Sequence, residues 1–178
     1  TLKNMYDASE AELDVMIIGQ QWRWRYEYLG EEVAFNSSMS TPWEQIDGDS
    51  TRDEHYLLDV DEPLVLPINR KVRFLMTSDD VIHSWWVPEL AVKQDTIPGF
   101  INENWVQINE PGIYRGQCAE LCGVNHGFMP IVVHAVEEEE FETWLTERKE
   151  AAEQEAMGVD REWEFDELMA RGEPVYRA

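Results

Sequence analysis

Cys118, Cys122, His126 and Met129 lie within twelve positions of one another in "GQCAELCGVNHGFMP" (116–130), in the pattern C-x3-C-x3-H-x2-M. Two thiolates, an imidazole and a thioether form a soft donor set. Sulfur donors with imidazole suit copper, whereas zinc gains little from a thioether, so Met129 tilts the choice. A mononuclear blue copper site uses one cysteine, and the second thiolate here invites a second metal ion. Spacing alone leaves other fates open. The 2 cysteines could pair in an oxidising compartment, or join a distant histidine in a zinc site. They could also serve as the dithiol of a thioredoxin-like copper chaperone, but that fold needs a βαβ pattern, and none is visible before residue 137.

The loop lacks a further imidazole, and His83 in "SDDVIHSWWVPEL" is the obvious donor, just after a strand and at a sheet-to-loop corner. His55 precedes "YLLDV" and His134 lies inside "IVVHAV". A lone histidine in either setting is more often structural or solvent-facing, and both stay outside the site.

The elements that must position these donors read as β-strands. Between "MIIGQQWRWRYEY" (16–28) and "MPIVVHAV" (129–136), β-branched and aromatic runs alternate with Pro, Gly, Asn and Asp clusters. Further strands are expected at "HYLLDV", "PLVLPI", "KVRFLMTS", "NWVQI" and "GIYRGQC", with "NEPG" (109–112) turning between the last two. Short strands at this spacing predict an all-β sandwich or Greek-key barrel. In "QWRWRYEY" the period of two puts Trp22, Trp24, Tyr26 and Tyr28 on one face. Residues 35–54, polar with scattered Gly and Pro, read as a long surface loop.

From Glu137 the pattern changes to that of a helix, with acids in its first turn and Gly158 as its stop. Phe141, Trp144 and Leu145 give it an apolar stripe at its start only, which predicts that it docks there and then runs into solvent. A second helical stretch is expected at "WEFDELMARG". The division is thus a β domain over 1–136 and an acidic helical extension over 137–178.

The 178 residues, 43% of them apolar, suffice for one ordinary core plus an appendage. With 37 acidic and 14 basic residues the formal charge is −23. That excess disfavours nucleic acid and anionic lipid as partners and favours a basic protein. Both parts are acidic, since residues 137–178 hold 15 acids against 5 bases. No apolar run is long enough to span a bilayer, and no signal-peptide pattern opens the chain.

Taken together, "SDDVIHSWWVPELAVKQDTIPGF", "GQCAELCGVNHGFMPIVV" and "QQWRWRYEY" resemble the copper-bearing extramembrane domain of subunit II of respiratory cytochrome c oxidases, over about residues 13 to 146. The resemblance implies a cupredoxin-like Greek-key β-sandwich, with a C-terminal helical extension, that holds the dinuclear CuA copper centre. By that likeness Cys118 and Cys122 bridge two copper ions. His126 and the carbonyl of Glu120 complete one copper, and His83 with a weak Met129 thioether completes the other. The carboxylate of Glu120 matches a ligand to Mg2+ or Mn2+ at the interface with subunit I, a hard oxygen for a hard cation. Trp22 matches the electron entry point, an exposed ring under a docked cytochrome c. Glu27, Asp61, Asp79 and Asp80 match or neighbour the acidic docking positions, which would steer a basic cytochrome c into fast, salt-sensitive encounters. Lys93 and Asp95 match positions that face subunit I.

The resemblance also implies a place and a parent. The domain would stand on the periplasmic face of a bacterial membrane, or in the intermembrane space of a mitochondrion. Membrane attachment would come through two transmembrane helices ahead of it, so the chain is expected to be a piece of a longer subunit. The tail "WEFDELMARGEPVYRA" resembles the first helix of a fused cytochrome c domain. The parent complex would be an oxidoreductase and this domain its electron carrier. The readings from another class are a zinc-loaded structural domain and a copper carrier without turnover.

Overall fold

The computed structural model describes residues 7–159. Ten strands form two five-stranded sheets, ordered β3-β2-β1-β5-β8 and β4-β10-β9-β6-β7. In the first are β1 (Leu13–Gln20), β2 (Arg23–Tyr28), β3 (Val33–Ser37), β5 (Lys71–Ser78) and β8 (Asn102–Gln107). The second holds β4 (Leu64–Pro67), β6 (His83–Val87), β7 (Val92–Thr96), β9 (Gly112–Cys118) and β10 (Pro130–Val136). β1 runs parallel to β5 and β4 parallel to β10, while the remaining neighbours are antiparallel. This is the all-β, Greek-key sandwich that the strand spacing and the resemblance predict.

Side-chain alternation builds the core. Val15 and Ile17 of β1, Trp24, Tyr26 and Tyr28 of β2, and Phe74 and Met76 of β5 are buried against Leu64, Trp85, Ile131 and Val133 of the facing sheet. The rings of Phe74 and Trp85 meet with centroids 5.3 Å apart. Each buried aromatic removes about 150–250 Å² from water, so this stack dominates the burial term. Trp24 of this core also meets the His83 ring edge-on.

The aromatic run 16–28 divides into a hairpin, with Gly19 opposite Trp24 and Gln20 opposite Arg23. Gln21 and Trp22 therefore form its turn, and Trp22 leaves the strand face that periodicity alone assigns it. "HYLLDV" is not a strand. Leu58 N–H closes a turn on the His55 carbonyl at 2.8 Å, Leu57 has φ +62°, and the Thr41 hydroxyl takes the Leu57 N–H. Only Val60 makes a bridge, to Met39. Local turn bonds outcompete a ladder there, because no neighbouring strand offers partners along its length. The polar segment 35–54 contains the end of β3 and a short helix, α1 (Trp43–Asp47), that enters after Pro42 and ends on left-handed Gly48. β6 and β7 were hidden from strand patterning: β6 buries four of its five residues, and β7 is mostly polar.

The predicted helix is α2 (Glu138–Val159), one residue longer than the Gly158 stop. Phe141 and Leu145 are buried, and Trp144 packs at 5.2 Å from the Tyr28 ring. Arg70 reaches across to Glu138 at 2.8 Å, while Arg148 and Lys149 of α2 pair with Glu62 and Glu31 of the sandwich. The helix thus docks by its first turns, as its apolar stripe predicts. Among the described residues no helix is long and apolar enough to cross a membrane. The second helical stretch and the fused haem domain expected of the tail lie outside the described residues.

Candidate metal centre

The donors converge from two parts of the chain. His83 opens β6, Cys118 closes β9, and Cys122, His126 and Met129 lie on the connection to β10. The ladder between β9 and β10 ends with Cys118 N–H on the Met129 carbonyl at 3.1 Å, so the intervening loop must fold back over Cys118. Gly123 at φ +123° makes that reversal, and His126 N–H bonds its carbonyl at 3.2 Å. Trp85 and Trp86 of β6 pair with Cys118 and Gln117 of β9, which brings His83 beside the cysteines.

Cys118 and Cys122 are buried and free, with their sulfurs 3.8 Å apart. His83 Nδ1 stands 3.9 Å from Cys118 Sγ, and His126 Nδ1 stands 3.5 Å from Cys122 Sγ. The Glu120 carbonyl lies 3.3 Å from Cys118 Sγ, while Glu120 as a residue is exposed. Met129 is buried beside them. The ligand atoms of His83, Cys118 and Cys122 all lie within 4.8 Å of one another. Metal–sulfur bonds of about 2.3 Å let two sulfurs at this separation share an ion without moving far. One imidazole at each end of the sulfur pair, with soft donors throughout, fits two soft metal ions better than one hard one.

His83 is fully buried, and three neighbours fix its ring. Nε2 meets Asp80 Oδ1 at 2.8 Å, which leaves Nδ1 for the sulfur side. Trp24 lies edge-on with centroids 6.0 Å away. Gly19 passes so close that a Cβ there would stand 2.7 Å from His83 Cδ2. Asp80 also accepts from Val81 N–H at 2.6 Å and, through Oδ2, from Gln21 N–H at 2.7 Å. Sequence reasoning placed Asp80 among docking acids and missed this contact. The signal available was its position three residues before His83, from which a carboxylate can reach the imidazole.

The ionisation of the thiols follows from this packing. Burial pushes Cys118 up, but hydrogen bonds from His83 and from the backbone around it prevail and bring the thiol from 9.0 down to about 7. Burial and the charge on Cys118 push Cys122 up to about 12. Burial lowers His83, while its bonds to Cys118 and Asp80 raise it by more. The metal-free pair releases one proton readily and holds the second. A bound cation would remove the repulsion that retains the second.

Trp22 is half-buried rather than an exposed ring. Its Nε1 is buried without a hydrogen-bond partner among the described residues, and a Cβ on Gly123 would come within 3.0 Å of its Cζ2. Trp22 therefore lies against the residue after Cys122. Asp79 and Asp80 bind the two residues just before Trp22: Gln20 Nε2 donates to Asp79 Oδ2 at 2.7 Å and Gln21 N–H to Asp80. The other two acids stand apart from them. Glu27 pairs with Arg25 at 2.7 Å near the far end of β2, and Asp61 accepts from Ser38 N–H at 2.7 Å. Lys93 lies over the Trp86 ring at 5.6 Å, and the Asp95 carbonyl accepts from Asn102 at 2.7 Å.

Comparison with known proteins gives the family of the chain. The family model described as "Cytochrome C oxidase subunit II, periplasmic domain" matches residues 13–136. The probable cytochrome c oxidase subunit 2 of Rickettsia bellii (strain RML369-C) is 42% identical over 152 residues, covering 85% of this chain and 55% of the relative. Cytochrome c oxidase subunit 2 of Cereibacter sphaeroides is 41% identical over 162 residues, covering 83% and 53%. The chain spans about half the length of these relatives. Among solved structures, the periplasmic domain of subunit II of cytochrome oxidase (CoxB) of Bradyrhizobium japonicum matches with a TM-score of 0.72 and 36% identity, over 82% of this chain and 99% of that one. A second match, at TM-score 0.66 and 36% identity over 82% and 96%, is subunit II of cytochrome c oxidase in a mixed disulfide intermediate with the thioredoxin-like TlpAs. With the family model spanning the whole sandwich and both cysteines inside it, the chain belongs to the cytochrome c oxidase subunit II family and carries that family's periplasmic domain.

Proposed function

We propose that this domain is the electron-entry module of a haem-copper cytochrome c oxidase, taking electrons one at a time from a cytochrome c and delivering them to haem in subunit I. The observation that carries the reading is the free sulfur pair 3.8 Å apart, with one imidazole nitrogen against each sulfur. Cys118 and Cys122 would hold two copper ions between them, with His83, His126, Met129 and the Glu120 carbonyl as the remaining ligands. When bound, the dinuclear CuA centre supplies a one-electron couple whose charge is shared over two metals.

The protein's own part is to hold the donors still and dry. Asp80, Gly19 and Trp24 fix the His83 ring, and the strand ends fix Cys118. Burial excludes water from the sulfurs, so little solvent or side-chain motion accompanies a change of charge. Trp22, packed against Gly123 and following Gln20 and Gln21, which bind Asp79 and Asp80, is the entry side chain. Asp79 and Asp80, with Glu27 and Asp61 farther off, attract a basic cytochrome c, an effect that acts mainly on encounter rate. The exposed carboxylate of Glu120 is a ligand for Mg2+ or Mn2+ shared with subunit I, and Lys93 and Asp95 face that subunit. The extension from residue 137 is an appendage to the β domain over 1–136. The domain works at the periplasmic face of its membrane, or the equivalent mitochondrial face, joined to the other oxidase subunits.

The mixed disulfide in a solved relative supports one more step. If Cys118 and Cys122 oxidise to a disulfide, a thioredoxin-like dithiol attacks one sulfur and forms a mixed disulfide. That attack releases the other cysteine as a thiolate, and the partner's second thiol then attacks the partner's own bridged sulfur and expels the remaining cysteine, leaving the partner as a disulfide and both cysteines reduced for metal.

Metal stoichiometry tests the reading. Two coppers per chain, a purple colour and the seven-line hyperfine pattern of one electron shared by two copper nuclei are expected. A colourless protein with one zinc, or a single copper, would overturn it in favour of a structural zinc domain or a copper carrier.

A further inference from the structure

Gln21 makes two hydrogen bonds that lead to different donor-bearing segments. Its backbone N–H donates to Asp80 Oδ2 at 2.7 Å, and Asp80 Oδ1 meets His83 Nε2 at 2.8 Å. Its side-chain Nε2 donates to the Cys122 carbonyl at 2.8 Å. His83 and Cys118 belong to strands of the β4-β10-β9-β6-β7 sheet, whereas Gln21 turns between β1 and β2 of the facing sheet. A single residue of one sheet therefore ties together two segments at the end of the other.

The side-chain arm has a fixed sense, because a carbonyl only accepts and so the amide must present its nitrogen. Gly123 leaves the room for it: a Cβ there would stand 3.1 Å from Gln21 Nε2 and 3.0 Å from Trp22 Cζ2. The same glycine thus receives both the amide and the neighbouring indole. A residue at position 21 without a donor would leave the Cys122 carbonyl to find water at a segment whose cysteine is buried.

We infer that Gln21 is a positioning residue, a clamp that holds the Cys122 loop and, through Asp80, the His83 ring at one separation while seating Trp22 against Gly123. The inference rests on the proposed metal centre for the ligand roles of Cys122 and His83. The clamp itself belongs to the metal-free chain, so it is tested there first.

Gln21→Met keeps the side chain's length and leaves the backbone bond to Asp80, but removes the donor. Amide hydrogen exchange of the metal-free chain is expected to quicken roughly fivefold to tenfold in peptides covering 118–128, the worth of one net hydrogen bond. Peptides from β1, β5 and β10 should be unchanged, which also reports that the fold is intact. Equal exchange in 118–128 would overturn the clamp whatever the metal content. Gln21→Glu, which keeps polarity and turns the donor into an acceptor, gives the same reading should the methionine variant fail to fold. After copper loading, the variant is expected to release copper to a chelator about tenfold faster and to show an altered hyperfine splitting. Unchanged splitting and release in a variant with quickened exchange would overturn the positioning role. Failure of the unsubstituted chain to bind two coppers would instead overturn the metal-centre reading and leave the exchange result standing.

Discussion

Gly19 and His83 face each other across the sandwich so closely that one methyl group would not fit between them. A Cβ on Gly19 would stand 2.7 Å from His83 Cδ2, 2.9 Å from Thr96 Oγ1 and 3.0 Å from His83 Cγ. Thr96 and His83 are both fully buried, so a Cβ there must displace the His83 ring, Thr96 or the β1 backbone. Gly19→Ala is therefore expected to lower stability by about 1–3 kcal/mol, the usual cost of overpacking. It should also turn His83 Nδ1 away from Cys118. Urea unfolding of the metal-free chain measures the first effect and the copper spectrum the second. A variant of undiminished stability with an unchanged spectrum would contradict the close approach.

Asp79 and Asp80 are adjacent acids with separate work. Asp79 takes Gln20 Nε2, whereas Asp80 holds the His83 ring and the Gln21 N–H. Asp80→Asn should weaken metal affinity about 10-fold to 100-fold, the range for partners of a ligating histidine. Asp79→Asn should leave affinity alone and slow only the encounter with a basic donor, a loss that disappears at high salt. Competition with a chelator and stopped-flow rates at two ionic strengths separate the two. Equal effects of both substitutions on metal affinity would refute the division.

The contrast between these two acids shows what was legible in the sequence. The donor set was legible because Cys118, Cys122, His126 and Met129 lie within twelve positions and their chemistry, like that of the more distant His83, is carried by residue type. The sandwich was legible where one face of a strand is wet, as in β5 and β9, whose limits match "KVRFLMTS" and "GIYRGQC". It was not legible in β6, which has no clear alternation because residues on both its faces are buried. Contacts made across turns were also out of reach. Gln21 and Gly19 matter through three-dimensional neighbours tens of residues away, and nothing in their local pattern distinguishes them from an ordinary turn amide or strand glycine, whereas Asp80 lies only three residues before His83 and its spacing alone offered a signal. Trp22 shows the opposite error, since strict alternation carried it onto a strand that begins one residue later, at Arg23.

The two thiols of the metal-free chain should titrate far apart. Cys118 is drawn from 9.0 down to about 7, so the native state binds fewer protons than the unfolded chain between those values. Its contribution to stability is complete above pH 9 and is lost as pH falls through 7. Cys122 is pushed up to about 12, so between 9 and 12 the native state binds more protons, and its contribution is lost as pH rises through that window. The thiol contribution to stability should therefore peak near pH 9. Thiolate absorbance against pH should show two separate steps, and replacing Cys122 with Ser should abolish the upper one. A single step near 9.0 would show that the pair does not interact.

Trp22 carries the sharpest test of electron entry. It is half-buried against Gly123, next to Cys122, and its Nε1 lacks a partner among the described residues. An entry ring needs two properties: an edge that a donor can reach and a second edge against the centre, and this packing supplies the second. Trp22→Phe keeps an aromatic ring against Gly123, whereas Trp22→Ala leaves a gap that electrons must cross without a conjugated side chain. Neither variant touches a donor atom of the centre, so the copper spectrum and the metal content should stay as they are. The rate of reduction by cytochrome c should fall by at least about tenfold in the alanine variant and much less in the phenylalanine one. A parallel measurement with a small inorganic reductant controls for docking, since such a reductant can approach elsewhere on the surface and should be slowed little. If cytochrome c reduces the alanine variant at the original rate, electrons enter by another side chain. If both reductants slow together and the spectrum changes, Trp22 acts by supporting the Cys122 loop.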